Sequence, residues 1–292
     1  MRCYRYLPFD RGIEALESGR FRLSSVSWFN DPFDCYGRAI GAMSDESCWH
    51  LVNRDLERWK RFFIANWGPL PQVINARVED VVDWVQTRME IGCGRQNYVP
   101  PEVAKEWLID EQYRLMCFSD AQKYDPRHDI LMWSHYADSC RGVRIEFEIE
   151  EDDLPDGCWL KSVKYTDKRP VIDLSRTLTW DGGDPEYVNY VRNCVWTKCK
   201  AWRYEHEIRL LVDLNKVNRD MGVDKDRENG FYFVYWMVPI KCIKFVTFGF
   251  SADRKHIDRL MNRFAKDRKY DNLEFEQMNL SLDDYSLSYD PV

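Results

Sequence analysis

The sequence predicts an α+β fold, with one core sheet assembled from both ends of the chain and a helical lobe set between its parts. Three observations predict it. Short alternating segments rich in aromatic and β-branched residues open the chain and dominate its final third. Between 45 and 105 the texture changes to apolar residues at helical spacing, as in LVNRDLERWKRFFIANW and VEDVVDWVQTRMEI, punctuated by Pro69, Pro71, Pro100 and Pro101. No flexible Gly/Ser linker flanks that stretch, so residues 1–292 read as a single α+β domain that contains the lobe.

The elements follow in order. Residues 1–7 alternate around Tyr4 and Tyr6 as a first strand. Asp10 then caps the helix RGIEALESG, Gly19 ends it, and FRLSS is a second strand. SVSWFNDPFDCYG is a loop, and YRLMCFS (113–119) returns to strand character. DILMWSHYAD reads as a short helix with Asp129 at its N-cap, and GVRIEFEIE alternates as a strand. WLKSVKY, EIRLLVDL, GFYFVYWMV and CIKFVTFGF continue the strands. Ser251 caps ADRKHIDRLMNRFAK, NLEFEQ adds an edge strand, and the polar stretch 281–292 is expected to fray.

Composition bounds the function classes. With 42 basic and 49 acidic residues the formal charge is −7, which argues against holding duplex nucleic acid by general attraction. Neither a signal-peptide pattern nor an apolar run of about 20 residues is present, so the expectation is a cytoplasmic protein with no membrane partner. The ten cysteines are scattered without a CxxC pair and read as free thiols in a reducing compartment. No Walker A or GxGxxG loop occurs, and the histidines and cysteines lack zinc-ligand spacing.

Three clusters could carry chemistry. In AWRYEHEIRLLVDL, strand alternation puts Glu205, Glu207 and Arg209 on one face and Ile208, Leu210 and Val212 on the other. An amphipathic strand with a solvated charged face explains that pattern. Against it, Trp202, Tyr204 and Lys198 could wall a cleft around the acids. A fixed carboxylate beside a ribose stabilises the oxocarbenium-like cation formed when an N-glycosidic bond breaks, and a second can orient or deprotonate the nucleophile. In CFSD and LMWSHYAD, Ser119 could donate to a ligand, while Met132, His135 and Tyr136 share one helix side. Met132 and Trp133 are most simply core residues, Tyr136 suits core packing or ring stacking equally, and His135, by itself more often a satisfied hydrogen-bonded histidine, stands with Glu205 and Glu207 among the catalytic candidates. In FNDPFD, an Asx-type turn is favoured, although Asn30 beside aromatic rings suits gripping a flat heteroaromatic amide.

Taken together, YRYLPFDRGIEALESGRFRLSSVSWFNDPFD, CFSDAQ, LMWSHYADSCRGVRIEF and KCKAWRYEHEIRLLV resemble the prokaryotic family known as domain of unknown function 2971. More loosely, the order of first strand, helix, second strand, serine-bearing strand and late E-x-E strand is similar to the ADP-ribosyltransferase superfamily. That resemblance implies an ADP-ribosyltransferase-like central mixed or antiparallel sheet and NAD as substrate. By position it assigns Arg5, Ser119 and Glu207 to the superfamily's arginine, serine and glutamate, with Glu205 steering the acceptor and Tyr6, His135 or Tyr136 as alternatives for the first two roles. The middle strand here carries one serine where the superfamily has a Ser-Thr-Ser run. Tyr6, Tyr136 or Trp133 would pack on nicotinamide, and Asn30 and Trp202 complete the expected NAD-binding set. Such an enzyme would use a protein or nucleic-acid acceptor, or water, and would suit a toxin or anti-phage effector with a regulatory partner. The alternatives are a non-enzymatic nucleotide or nucleic-acid sensor and a metal-dependent nuclease.

Overall fold

The computed structural model describes residues 1–40, 44–93, 113–123, 126–173, 176, 185–218, 223–228 and 231–292. Its strands are β1 (Arg2–Leu7), β2 (Arg20–Leu23), β3 (Arg38–Ile40), β4 (Tyr113–Asp120), β5 (Val143–Glu148), β6 (Cys158–Ser162), β7 (Lys164–Thr166), β8 (Val171–Asp173), β9 (Thr197–Cys199), β10 (Glu207–Asp213), β11 (Val223–Glu228), β12 (Phe231–Met237), β13 (Ile243–Phe248), β14 (Glu274–Leu280) and β15 (Leu287–Pro291). The helices are α1 (Phe9–Ser18), α2 (Asp45–Arg54), α3 (Leu56–Trp67), α4 (Pro71–Ile74), α5 (Val78–Cys93), α6 (Pro126–Tyr136), α7 (Pro185–Val195) and α8 (Arg254–Phe264). The expected α+β class holds.

The chain divides into two compact units. The first takes Met1–Trp28, Gln112–Val163 and Lys200–Val292; the second takes Phe29–Glu111 and Lys164–Cys199. The helical region expected at 45–105 therefore shares its unit with a later segment, and its portion 94–105 lies outside the described residues.

The first unit is built on an eight-stranded mixed sheet in the order β15-β14-β13-β5-β1-β4-β10-β6, so both ends of the chain meet in one sheet. Its pairings are antiparallel except β13 with β14. Alternation makes the sheet two-faced. Cys3, Phe118, Phe147, Ile208 and Leu210 belong to one core with Leu16 of α1, Leu260 of α8, and Phe21 and Trp236 of a smaller sheet ordered β11-β12-β2. On the other face Tyr6 packs with Trp133 of α6, Ala137 just after that helix, and Met278 of β14. Gly19 ends α1 in the left-handed region at φ 70°, as its sequence position predicts.

Several local expectations change. Asp10 lies in the first turn of α1, because Pro8 occupies the N-cap. Asp253, not Ser251, caps α8, its side chain accepting from the Lys255 amide at 2.9 Å. Asp129 sits inside α6 and is buried, so its carboxylate serves the interior rather than a helix end. WLKSVKY is split between β6 and β7. The stretch expected to fray forms β15, which pairs along β14 and displaces it from the sheet edge.

The second unit holds α2 to α5 and α7, with two parallel strand pairs, β3 with β8 and β7 with β9. Ser44 caps α2 by accepting from the Ser47 amide at 3.1 Å. Trp59, Phe63, Trp67 and Trp84 form a chain of ring contacts between α3 and α5. The FNDPFD loop makes the expected Asx turn, with Asp31 accepting from the Phe33 amide at 2.9 Å.

Candidate functional site

The site is organised by three neighbouring strands of the large sheet. Tyr4 on β1 is opposite Ser119 on β4, and Ser119 is opposite Glu207 on β10. Residues directly opposite in antiparallel pairs point to the same face, so the three form one row across the sheet. Glu207 is 3% exposed and Arg209 is fully enclosed. Two positions apart on β10, they share a face and close a fork: Arg209 donates from Nε to Glu207 Oε1 at 2.7 Å and from Nη2 to Oε2 at 3.1 Å. The solvated ladder of charges is thus replaced by a buried ion pair, and every residue of β10 is buried.

Glu205 is not on the strand. It ends a 3-10 turn over Lys200–Glu205, and His206 between the glutamates has φ 44°. This left-handed residue breaks the alternation that would have put both acids on one strand face. It is held from both sides, its amide donating to the Arg203 carbonyl at 3.2 Å and its carbonyl accepting from the Asp120 amide at 2.9 Å. Glu205, 4% exposed, accepts from the Tyr136 hydroxyl at 2.6 Å.

Glu205, not Glu207, lines a cavity of about 20 Å³. Tyr4, Tyr6 and Ser119 contribute from the sheet, Asp129 and Met132 from α6, and Tyr204 from the turn. Ser119 Oγ is buried and has no hydrogen-bond partner among the described residues. A line of rings leads away, with Tyr204 near both His135, at 6.4 Å between centroids, and Trp202, at 6.1 Å.

Behind the cavity lies a buried polar network centred on Asp129. It accepts from the hydroxyls of Tyr6 and Tyr289, from Trp133 Nε1 at 3.1 Å and from Arg144 Nη1 at 3.2 Å. Arg144 also reaches Thr247 and Glu276, and its guanidinium lies 4.6 Å over the Tyr4 ring and 4.4 Å over the Tyr289 ring. Burial, reinforced by the Asp129 charge, pushes the Tyr6 phenol well above its ordinary pKa. Tyr6 is therefore a neutral donor fixed on Asp129. After α6 the chain turns back through Asp138, Ser139 and Cys140, all at positive φ, to Gly142, where a Cβ would come within 2.1 Å of the Leu7 carbonyl oxygen. That close approach holds α6 against β1 and β5.

Of the residues expected at the site, Glu205, Ser119, Tyr6 and Tyr136 come together. Trp202 and the exposed His135 flank them through Tyr204. Three do not join. Arg5 opposes Ile145, while its neighbour Tyr4 opposes Ser119, so Arg5 projects from the other face of the sheet. Its stem keeps some exposure, but its guanidinium is enclosed, bonds the Arg22 carbonyl at 3.2 Å and leaves Nη1 without a partner among the described residues. Burial pushes that guanidinium down to about 10. Trp133 has no exposed surface and is core. Asn30 is an exposed residue of the second unit, and Lys198 is buried in that unit 3.6 Å from Asp34. Tyr4 and the Asp129–Arg144–Tyr289 network were missed. Tyr4 could have been found from its parity with Tyr6; Tyr289 had no local signal.

Residues 132–210 match the family model described as Protein of unknown function (DUF2971). This bears out the family resemblance, and the matched segment runs from α6 to β10, carrying Tyr136, Glu205 and Glu207. No curated protein and no solved structure matches the chain.

Proposed function

We propose that this chain, which carries that family's sequence over 132–210, is an NAD-consuming enzyme of ADP-ribosyltransferase-like fold that cleaves the nicotinamide N-glycosidic bond. The observation that carries the reading is the row Tyr4, Ser119, Glu207 across adjacent strands, with Glu205 lining a cavity beside it and fixed by Tyr136. Breaking that bond leaves positive charge on the ribose, and a carboxylate already oriented in a water-poor site stabilises it as it develops. Glu205 takes this role. Glu207 has both oxygens engaged by Arg209 and supports the floor. Trp202, Tyr204 and His135 offer flat surfaces for a nicotinamide ring.

A dinucleotide calls for a pocket of about 300 Å³ or more, so the cavity is the reacting floor of the site, and NAD binds above it with the wall of Trp202 and Tyr204 displaced outward. A toxin or anti-phage role is consistent with such an activity. The small cavity also supports a second reading, a non-enzymatic module that binds a nucleotide on the same rings. Among the described residues no group of His, Cys, Asp and Glu gathers as metal ligands do.

Incubation with NAD, with nucleic acid and protein supplied as acceptors and nicotinamide measured by chromatography, tests the proposal. Native protein is expected to release nicotinamide and Glu205→Gln to release at least ~100-fold less, within the range of lost electrostatic stabilisation. Saturable NAD binding without any nicotinamide would replace the enzyme with the binding module.

A further inference from the structure

Resting on the reading above, we infer that the ribosyl group is transferred to water, held in the cavity by Ser119 and activated by Glu205. Ser119 Oγ is buried, lines the cavity and has no hydrogen-bond partner among the described residues, although a hydroxyl can donate once and accept twice. Buried polar groups are satisfied almost without exception, by protein or by ordered water. The cavity's volume, about 20 Å³, is room for one water molecule. A buried water also needs two or more polar partners. Ser119 and Glu205 supply them from opposite origins, one on β4 and the other on the turn before β10. Tyr6 and Asp129 line the same space but already bond each other.

The chemistry balances without a further reactant. The bond between ribose C1′ and the nicotinamide nitrogen breaks, and its electron pair leaves with nicotinamide. The water oxygen forms the new bond to C1′, and the water's proton passes to Glu205 and then to solvent. NAD and water become ADP-ribose, nicotinamide and one proton. Ser119 is the positioning residue for the water, and Glu205 is the group that takes its proton.

The test is product partition by the full chain, with nucleic acid, protein and methanol all present. Native protein is expected to form free ADP-ribose in equal amount to nicotinamide, with little methyl ADP-riboside, because the attacking water is the one held by Ser119 and Glu205 rather than one drawn from bulk solvent. Ser119→Thr keeps the hydroxyl and fills the cavity with a methyl group; it is expected to slow hydrolysis on the order of 100-fold with KM little changed, the effect of a misplaced reactant. Nicotinamide matched by macromolecule-bound ADP-ribose, or methyl ADP-riboside formed in proportion to bulk methanol, would overturn the water assignment and leave the enzyme reading standing. Absence of nicotinamide in every mixture overturns that reading and this inference with it. Should Ser119→Thr fail to fold, the methanol partition on native protein still decides.

Discussion

Tyr136 at the end of α6 donates its hydroxyl to Glu205 across 2.6 Å, and this bond joins the helix to the turn that precedes β10. The two residues are 69 positions apart, so the bond has no local cause; it depends on α6 packing beside the turn that precedes β10. Tyr136→Phe keeps the ring and removes the donor. We expect a stability loss of about 1 kcal/mol and a fall in nicotinamide release of about 10-fold or more, because the carboxylate loses its orientation. Equal activity of the variant and native protein would show that Glu205 needs no such anchor.

The Glu207–Arg209 pair makes a different prediction. Both side chains are buried and joined by two hydrogen bonds, so removing one partner takes away compensation from a buried charge. Glu207→Gln and Arg209→Met are each expected to cost about 3–5 kcal/mol in urea denaturation. The double variant should cost less than the sum, the mark of a coupled pair. Simple additivity would contradict the ion pair.

Tyr289 tests the C-terminal strand. Its hydroxyl bonds Asp129, its ring lies against Arg144, and Leu287 packs on the same cluster. Tyr289→Phe removes a donor to a buried carboxylate and is expected to cost about 1.5–3 kcal/mol. Deleting 281–292 should cost more, since Met278 and Tyr6 lose their cover. A truncated chain as stable as the full one would mean that β15 adds nothing.

Arg5 carries the opposite expectation. Its enclosed guanidinium has only the Arg22 carbonyl and an unbonded Nη1 among the described residues, and burial lowers its pKa to about 10. Arg5→Met is expected to stabilise the protein by about 1 kcal/mol, because the desolvation penalty disappears while the stem's packing is kept. It should also leave nicotinamide release unchanged. A large loss of activity would return Arg5 to the site.

Much of this fold could be read locally. Alternation in RCYRYL, YRLMCFS and EIRLLVD placed three adjacent strands of the large sheet, and Gly19 fixed the end of α1. The site was legible in its residues but less so in its geometry. E-x-E spacing put both glutamates on one strand face; the left-handed backbone of His206 takes Glu205 off the strand, and the sequence gives no sign of it because His is not a residue that demands positive φ. Arg5 was placed by position in the chain, whereas the parity of β1 decides which face it occupies. Tyr289 and Asp129 are 160 positions apart, and their pairing follows only once β15 has docked on β14.

The most direct test of the central claim, that Glu205 is the carboxylate at the reacting centre, is the rate of nicotinamide release per folded molecule in Glu205→Gln and Glu207→Gln side by side. Glu205→Gln is expected to fold as the native protein does and to lose at least ~100-fold in rate, while Glu207→Gln is expected to lose activity only in proportion to the molecules that unfold. Glu205→Gln turning over at the native rate, with the folded fraction of Glu207→Gln inactive, would contradict it.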